Sequence, residues 1–477
     1  MRTVYIETLG CPKNVCDSEF AAGVLADADY RAVDDPADAS VILVNTCGFI
    51  DDAKRESIES ILELAACKEA GSLLVVSGCL SQRYGEELAR ELPEVDLFLG
   101  VGDYARIADI LDARLRAVAC AEQGAAPRGG GRASGRANRA TVRASDPAGP
   151  AARICGADGG VLAESPAMPR RKRLGPAYTA FLKVAEGCDN RCAYCVIPDI
   201  RGPYRSRALD DVLREGEALA RGGAAEIILI AQDLTNYGAD LYGKPMLARL
   251  VRELCKTDGL RWLRLMYCYE DRVTEELIEA MASEEKVCHY IDLPLQHASD
   301  RVLAAMGRRS DKAGMLRTIA RLRAAVPDIH IRTTLITGFP SEGKADFEEL
   351  MDFAETVRFE RLGVFAYSCE EGTPAASMKG QVREAVKLSR RDRLLRLQQG
   401  ISLEKNQEKI GQTLEVLVEG CESDGSFSGR TRYDAPEIDN GVIFGAPDGA
   451  APAPGDIVRV RIDDAFDYDL SGYRVAL

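Results

Sequence analysis

The stretch that decides the fold is TAFLKVAEGCDNRCAYCVIP, residues 179–198. It starts as a strand-like run and passes, after a glycine, into three cysteines with the spacing CxxxCxxC. Five more strand-like segments follow, with amphipathic helical segments between them, and this alternation predicts a partial TIM-like barrel of six βα units. The six strand-like segments are residues 179–185, 226–231, 262–267, 290–295, 330–336 and 361–367.

The three cysteines, Cys188, Cys192 and Cys195, predict an iron–sulfur cluster with one open iron. Active sites of barrels lie at the carboxyl ends of the strands, and the triplet follows such an end. Three thiolates bind three irons of a [4Fe–4S] cubane, so the fourth iron is left to chelate a substrate. The alternatives are a zinc site or buried structural thiols. Zinc favours four ligands in paired CxxC units, whereas the sequence offers no second pair or nearby histidine here.

Toward the N-terminus, residues 1–118 alternate strand and helix, which predicts a parallel sheet covered by helices. Cys11, Cys47 and Cys79 each follow a strand of this region and lie beside a glycine or a turn residue. Because the ends of parallel strands meet along one edge of a sheet, we expect these cysteines to meet and to hold a second cluster. The alternative is three unrelated buried thiols, since free cysteine is often buried.

The remaining segments complete a domain plan with four parts. Residues 119–172 are rich in Gly, Ala, Pro and Arg without an apolar period, which indicates a flexible linker or insertion of open role. Residues 411–477 are rich in Val, Gly and turn residues and predict a small all-β barrel. The plan therefore places an α/β cluster domain at 1–118, the insertion next, the central barrel at 173–410 and the β-barrel last.

Composition narrows the class of function. The chain has 477 residues, a net charge of −14 and a pI of about 5.0, so broad electrostatic binding of nucleic acid is not expected. Fifteen cysteines in a long chain that shows neither a signal peptide nor a membrane span indicate a cytoplasmic protein with metal or redox chemistry.

The triplet resembles the signature of the radical SAM superfamily over about residues 178–400. The resemblance implies that the open iron binds the amino and carboxylate groups of S-adenosylmethionine (SAM). It further implies that an electron from the cluster splits SAM into methionine and a 5′-deoxyadenosyl radical, which abstracts hydrogen from an unactivated carbon. LITGFPSE, residues 335–342, resembles the adenine-supporting strand of the superfamily, although a bare Gly-Phe-Pro turn is the alternative.

The resemblance also suggests SAM contacts. Tyr194 lies between two cluster ligands and is predicted to contact adenine, with a packed aromatic as the alternative. Gly222, Gly223 and Glu226 precede the second strand, where the superfamily has a glycine-rich segment that contacts the SAM amino group. The same glycines also fit a helix C-cap.

Three further residues complete the predicted SAM set. Gln232 follows the second barrel strand, and Gln296 and His297 follow the fourth. Their position predicts a role in holding SAM or substrate at the active-site end. A structural histidine with satisfied hydrogen bonds is the alternative for His297.

Together these features resemble the methylthiotransferases, which combine an N-terminal cluster domain, a radical SAM barrel and a C-terminal TRAM domain. Within that family the motifs resemble the RimO branch. The resemblance implies two [4Fe–4S] clusters, two molecules of SAM and methylthiolation of an aspartate β-carbon in small-subunit ribosomal protein twelve. The sulfur and electron donors stay open. The branch-specific motifs are ETLGCPKNVCDSE (7–19), VAEGCDNRCAYCVIPDIRGPYRSR (184–207), IAQDLTNYGADLYG (230–243), DLPLQHAS (292–299) and RYDAPEID (432–439).

Two rival functions are a MiaB-type enzyme that modifies tRNA adenosines and an iron–sulfur carrier or sensor without catalysis. A tRNA enzyme more typically carries Gly-Cys-Gln-Met-Asn at the first cysteine, and a carrier does not need six βα units. The last segment has 13 acidic and five basic residues, which suits a basic protein partner better than RNA. A solvated acidic surface without a partner is the alternative. The candidate contact is an acidic run of Asp463, Asp464, Asp467 and Asp469.

Overall fold

The computed structural model of the chain describes residues 2–122, 171–447 and 451–475. They form two compact units. The first contains Met1–Leu174 and Asp199–Gly202, and the second contains Gly175–Pro198 and Pro203–Leu477. The predicted insertion at 119–172 lies almost entirely outside the described residues.

The first unit is built on a five-stranded sheet in which every pair is parallel, with the order β2-β1-β3-β4-β5. The two central strands, VILVNT and LLVVSG, are buried at every position, as expected for a parallel sheet covered on both faces. This confirms the predicted sheet, to which the structure adds the three-residue strand β2. The strands are β1 (Arg2–Thr8), β2 (Tyr30–Ala32), β3 (Val41–Thr46), β4 (Leu73–Gly78) and β5 (Leu97–Phe98). The helices are α1 (Pro12–Asp27), α2 (Asp51–Ala66), α3 (Cys79–Glu91) and α4 (Ile107–Glu122).

The second unit contains a parallel sheet of six strands with the order β13-β12-β11-β10-β9-β6, whose edge strands are β13 and β6. Each strand overlaps one predicted strand segment, so the prediction of six βα units is confirmed. The sheet strands are β6 (Thr179–Lys183), β9 (Glu226–Ile230), β10 (Trp262–Leu265), β11 (Val287–Asp292), β12 (His330–Thr337) and β13 (Arg361–Ala366). A separate antiparallel pair, absent from the prediction, consists of β7 (Ala185–Glu186) and β8 (Arg205–Ser206).

Helices of this part of the chain cover the sheet and bury its apolar residues in one continuous core. Helix α5 (Ile197–Arg201) follows the cysteine triplet, and its residues from Asp199 onward group with the first unit. No helix within the described ranges is long and apolar enough to cross a lipid bilayer. The other helices are α6 (Leu209–Arg221), α7 (Ala239–Tyr242), α8 (Leu247–Cys255), α9 (Glu275–Ser283), α10 (Asp300–Ala305), α11 (Lys312–Ala325), α12 (Lys344–Val357) and α13 (Glu384–Gln407).

The second unit ends in a closed barrel of five strands with the order β14-β15-β16-β18-β17, which confirms the predicted all-β segment. Its small core is apolar and includes a stacked pair of rings, Phe427 and Phe444, whose centroids are 5.7 Å apart. The strands are β14 (Thr413–Cys421), β15 (Phe427–Thr431), β16 (Val442–Gly445), β17 (Ile457–Ala465) and β18 (Leu470–Arg474).

Candidate active site and second cysteine site

The cysteine triplet occupies the loop between β7 and α5, beyond the carboxyl end of β6. Cys188 and Cys192 are buried and Cys195 is half-buried. Asn190 Nδ2 donates to Cys188 Sγ at 3.5 Å, and the Ile197 amide donates to Cys195 Sγ at 3.4 Å. N–H donors of this kind stabilise negative charge on thiolate ligands and fix their orientation. The sulfurs therefore have the surroundings of cluster ligands.

A tyrosine and an arginine form one wall beside the triplet. Tyr269 Oη lies 3.7 Å from Cys192 Sγ, and the Arg308 guanidinium lies over the Tyr269 ring, 4.5 Å from its centroid. Arg308 is itself held by Glu270 at 2.7 Å. Sequence reasoning missed this wall because no local motif links these residues to the cysteines.

Tyr194 packs against the aromatic cluster of Phe339 and Tyr367, whose rings meet edge to face at 5.4 Å. Phe339 belongs to the 335–342 segment that was expected to support adenine. Burial, and then the Cys192 thiol, raise the pKa of Tyr194 well above its usual value. The structure thus brings Tyr194, the triplet and this segment together.

A polar group lies where β6 and β9 end. Gln232 Nε2 donates to Glu186 Oε1 at 2.7 Å, and Lys183 Nζ donates to Glu186 Oε2 at 2.7 Å. Gln232 Oε1 is buried and finds no hydrogen-bond partner within the part of the chain that the structure describes. A buried acceptor left unpaired costs about 1–3 kcal/mol, so this oxygen suits an N–H or O–H group of a ligand.

Gln296 occupies an unusual backbone conformation just beyond β11, with φ at 73°. Its amide donates to the Thr334 carbonyl at 2.8 Å, and its carbonyl accepts from the Ile336 amide at 2.7 Å, so β12 holds it on both sides. A non-glycine residue in the left-handed region is strained, and such strain clusters at active sites. Gln296 therefore stays a candidate for contact with a ligand.

His297, the next residue, is completely buried. Its Nδ1 accepts from the Ser299 amide at 2.9 Å, and its Nε2 lies 3.5 Å from Glu342 Oε2. Glu342 also accepts from the Gly338 amide at 2.6 Å, in the segment that carries Phe339. Nε2 is buried and makes no hydrogen bond within the described ranges, so the satisfied structural histidine is not what the structure shows, and a role for His297 in holding SAM or substrate stays a prediction.

Gly222, Gly223 and Glu226 lie at the opposite end of the sheet. Gly223 has φ at 99°, its amide donates to the Ala220 carbonyl, and the Ala224 amide donates to the Leu219 carbonyl. This is a Schellman C-cap of α6, the alternative that the sequence left open. The structure does not bring these three residues to Cys188.

Glu226 starts β9 and is completely buried within ion pairs. Arg264 Nε lies 2.8 Å from Oε1, and Arg430 Nη2 donates to Oε2. Burial alone would raise the pKa of Glu226, but Arg430 and then Arg264 hold it below its usual value. Its partners and its position account for it as a packing residue between the sheet and the C-terminal barrel.

In the first unit the three predicted cysteines do meet. Cys11 follows β1, Cys47 follows β3 and Cys79 follows β4. A Cβ on Gly10 would lie 2.6 Å from Cys47 Cβ, and φ at Gly10 is 89°, so only glycine fits there. Burial, with smaller contributions from the thiols of Cys11 and Cys79, raises the pKa of Cys47 to about 12. Asn14 Nδ2 donates to the Thr46 carbonyl, next to Cys47, at 3.1 Å, and Arg201 donates both to Asn14 Oδ1 and to Cys79 Sγ, so one group of hydrogen bonds joins the three strand ends.

Comparison with known proteins decides the family. The model of uncharacterized protein family UPF0004 matches residues 3–100, the Radical SAM superfamily model matches 182–354 and the TRAM domain model matches 410–475. A ribosomal protein uS12 methylthiotransferase RimO from Anaeromyxobacter sp. strain K is 50% identical over 99% of this chain and 93% of its own. The RimO proteins of Geobacter sulfurreducens and Clostridioides difficile strain 630 are 47% and 42% identical, over 98% and 99% of this chain and 98% of their own lengths.

The chain belongs to the RimO family of radical SAM methylthiotransferases. This confirms the predicted branch of the family over the MiaB branch. The fold is also found in the solved structure of TsrM, a radical SAM methyltransferase from Kitasatospora setae. That structure has a TM-score of 0.54 and 14% identity over 89% of this chain and 79% of its own.

The donor sets of the two sites, three cysteine thiols each, are those of iron–sulfur cluster ligands. Among the described residues, no three His, Cys, Asp or Glu side chains are grouped so that they could hold one metal ion. Thiolates that bind a cubane each hold a different iron and need not converge on one point. At one site Gly10 leaves space beside Cys47, and at the other two of the three thiols, Cys188 and Cys195, accept from N–H donors, which fits that requirement.

Arg201 contacts one of the three N-terminal cysteines of this RimO-type chain, and the sequence analysis did not predict it. Arg201 Nη2 donates to Cys79 Sγ at 3.3 Å and to Asn14 Oδ1 at 2.8 Å, and Nη1 lies 2.6 Å from Asp17 Oδ2. Burial raises the pKa of the Cys79 thiol, and Arg201 opposes that rise. No local pattern joins Arg201 to a cysteine 122 positions away.

Proposed function

We propose that the chain adds a methylthio group to the β-carbon of an aspartate in ribosomal protein uS12, the small-subunit ribosomal protein twelve. The observation that carries the proposal is the presence of two three-cysteine sites, at Cys188, Cys192 and Cys195 and at the strand ends of the first unit, in a chain whose named relatives are uS12 methylthiotransferases. Since the substrate is a ribosomal protein, the reaction would take place in the cytoplasm.

The triplet would hold a [4Fe–4S] cluster with SAM at its open iron. When bound, these groups would supply the 5′-deoxyadenosyl radical that abstracts hydrogen from an unactivated carbon. The protein's part is to hold and orient them: Asn190 and the Ile197 amide support the thiolates. Tyr194 and the Phe339 segment offer an aromatic surface suited to adenine.

Two glutamines at the strand ends would fix the orientation of SAM. Gln232 offers a buried acceptor held in place by Glu186, which suits an amino or hydroxyl donor. Gln296 offers a side chain on a strained backbone beyond the end of β11, which β10 separates from β9. A substrate positioned within about 3–3.5 Å of the reacting atom gains most of the advantage of proximity.

The second cluster would be held by Cys11, Cys47 and Cys79, and sulfur would be delivered at this site. Gly10 leaves room for a bulky group beside Cys47, because any side chain there would collide with that cysteine. This site adds the thiolate ligands that sulfur insertion needs and that SAM cleavage alone does not.

The surface of the C-terminal barrel supports a basic protein as partner. Of its five arginines, Arg430 is buried against Glu226, and Arg432 donates to the Glu285 and Val287 carbonyls. The exposed charge of the barrel is therefore mainly negative, which attracts a basic protein and repels RNA. The exposed acidic residues of the barrel are Glu415, Glu422, Asp424, Glu437, Asp456, Asp463, Asp464 and Asp469.

A competition assay tests the proposal. Reconstituted enzyme, reduced and kept anaerobic, receives SAM, sulfide, a uS12 peptide and bulk tRNA, and mass spectrometry follows the methylthio group on each. We expect it on the aspartate of the peptide, and its absence in a variant with Cys188→Ala, Cys192→Ala and Cys195→Ala. Modified tRNA with unmodified peptide would overturn the proposed substrate while leaving the radical chemistry in place.

A further inference from the structure

A buried arginine contacts the cysteine site of the first unit. The side chain of Arg201 is 2% exposed, and it is fixed by Asp17 and Asn14 of α1 as well as by Cys79. Helix α1 begins directly after Cys11, so its two polar residues and the arginine form one layer beside the thiols. The guanidinium is thus bound on one side to a carboxylate and an amide and on the other to sulfur.

This contact has an electrostatic consequence for a cluster held there. Arginine keeps its charge at every physiological pH, and hydrogen bonds from charged donors are about twice as strong as neutral ones. The reduction potential of an iron–sulfur cluster depends on hydrogen bonds to its sulfurs and on nearby charge. One-electron reduction adds negative charge, so a guanidinium 3.3 Å from Cys79 Sγ stabilises the reduced form more than the oxidised form.

We propose that Arg201 is a positioning residue that raises the reduction potential of the cluster held by Cys11, Cys47 and Cys79. This rests on the proposed function, because the N-terminal cluster is the group on which the arginine acts. A low-potential one-electron donor supplies the electron, no bond breaks and the guanidinium keeps its proton. Asp17 orients the guanidinium and offsets part of its charge.

Arg201 lies close in sequence to the ligands proposed for the SAM cluster. Arg201 comes six residues after Cys195, within the same segment that carries the ligands of the SAM cluster. One stretch of chain therefore encodes the thiolates of one cluster and the tuning group of the other. Changes in that stretch would alter both redox sites at once.

The test isolates the N-terminal cluster in the full chain. Cys188→Ala, Cys192→Ala and Cys195→Ala form the background, which is reconstituted anaerobically with iron and sulfide and titrated with dithionite under EPR. Arg201→Gln should move the midpoint potential to a more negative value. Arg201→Lys, which keeps the charge, should recover part of that shift.

Two further variants separate tuning from structural support. Asp17→Asn removes the compensating charge while keeping an acceptor, so it should move the midpoint to a less negative value. Arg171→Gln is the matched control: Arg171 is 6% exposed and pairs with Glu19 in the same unit, and we expect no shift. A purely structural role for Arg201 does not produce shifts of opposite sign.

Several outcomes would overturn the tuning role. These are a parent-like midpoint in Arg201→Gln, an equal shift in Arg171→Gln, or a lysine variant as negative as the glutamine variant. If Arg201→Gln retains no iron, Asp17→Asn decides, and an unchanged or more negative midpoint there rejects the role. The readout uses neither SAM nor uS12, so its failure is distinct from failure of the methylthio-transfer assay.

Discussion

The two ends of the six-stranded sheet use polar residues for opposite purposes. At the carboxyl ends, Gln232 keeps a buried oxygen without a partner in the described chain, and Gln296 sits on a strained backbone. At the amino ends, Glu226 is saturated by Arg264 and Arg430. An incompletely satisfied polar group beside a cysteine triplet indicates a ligand, whereas a fully paired one indicates packing.

Two carboxylates of the RYDAPEID segment, residues 432–439, also lie at the amino ends of the sheet. Asp434 pairs with Arg361, and Asp439 accepts from Tyr290 at 2.7 Å and lies 3.4 Å from Arg332. These two carboxylates of the C-terminal segment bind side chains of β11, β12 and β13 and so join that segment to the six-stranded sheet. The segment thus has a structural task within the second unit that does not require contact with a substrate.

The largest expected effect comes from replacing the cysteine triplet at the carboxyl ends of the sheet strands. Replacing Cys188, Cys192 and Cys195 with alanine should abolish SAM cleavage and lower the iron content from about eight to about four per chain, because only one four-iron site then remains. Iron analysis and 5′-deoxyadenosine release measure both. The matched variant with Cys11, Cys47 and Cys79 replaced should also hold about four irons yet keep SAM cleavage. Loss of SAM cleavage in that variant would contradict the hypothesis that only the site of the triplet cleaves SAM.

The next effect concerns the amino ends. Glu226→Gln should lower the free energy of unfolding by about 3–5 kcal/mol, because it leaves the buried Arg264 guanidinium without a counter-charge and leaves Arg430 only its partly exposed partner, Glu419. Urea unfolding measures this, and SAM affinity of the folded fraction should match the parent. Glu419→Gln is the control, since Glu419 pairs with the same Arg430 at 2.8 Å but is 32% exposed and should cost under about 1 kcal/mol. Weaker SAM binding at unchanged stability would return Glu226 to the active site.

A third effect tests one of the buried polar groups that this packing leaves without a partner among the described residues. Lys409 Nζ is buried and has no hydrogen-bond partner within the described ranges. Burial, and then Arg361, lower the pKa of Lys409 to about 8 from 10.5. The unfolded chain therefore binds more protons between these values, and stability rises with pH through that window. Lys409→Met should abolish this rise and stabilise the protein by about 3 kcal/mol below pH 8.

Unfolding at pH 7 and at pH 10 measures the Lys409 effect as a difference from the parent. Lys405→Met serves as control, because Lys405 pairs with Glu360 at 2.7 Å. This variant should be less stable than the parent. A stability gain in Lys409→Met that is the same at both pH values would reject the role of charge.

The smallest effect returns to the carboxyl ends. Gln232→Leu should raise the Kd for SAM about tenfold, which corresponds to about 1.4 kcal/mol for one lost hydrogen bond. Gln398→Leu is the matched control, because the side-chain oxygen of Gln398 is also buried without a partner among the described residues. Gln398 donates to the Phe359 carbonyl and is not among the predicted SAM contacts, so its replacement should leave the Kd for SAM unchanged. Equal SAM affinity in both variants would remove Gln232 from the set of SAM contacts.

The sequence alone determined the elements and the two cysteine sites. Strand and helix follow from short-range periodicity, and cysteines that end parallel strands must meet at one edge, so Cys11, Cys47 and Cys79 were predictable from local pattern. The two glycines before Glu226 were ambiguous, because a cap and a ligand contact have the same local sequence.

Only the tertiary structure decided which polar groups are satisfied. The pairing of Glu226 with Arg430 spans 204 positions, and that of Arg201 with Cys79 spans 122. Such contacts depend on where distant segments meet after the chain has folded, and no periodicity in the sequence records that. Charge neutralisation, backbone strain at Gln296 and the burial of His297 are therefore properties of the assembled fold, whereas the proposed ligands of the clusters could be predicted from the sequence.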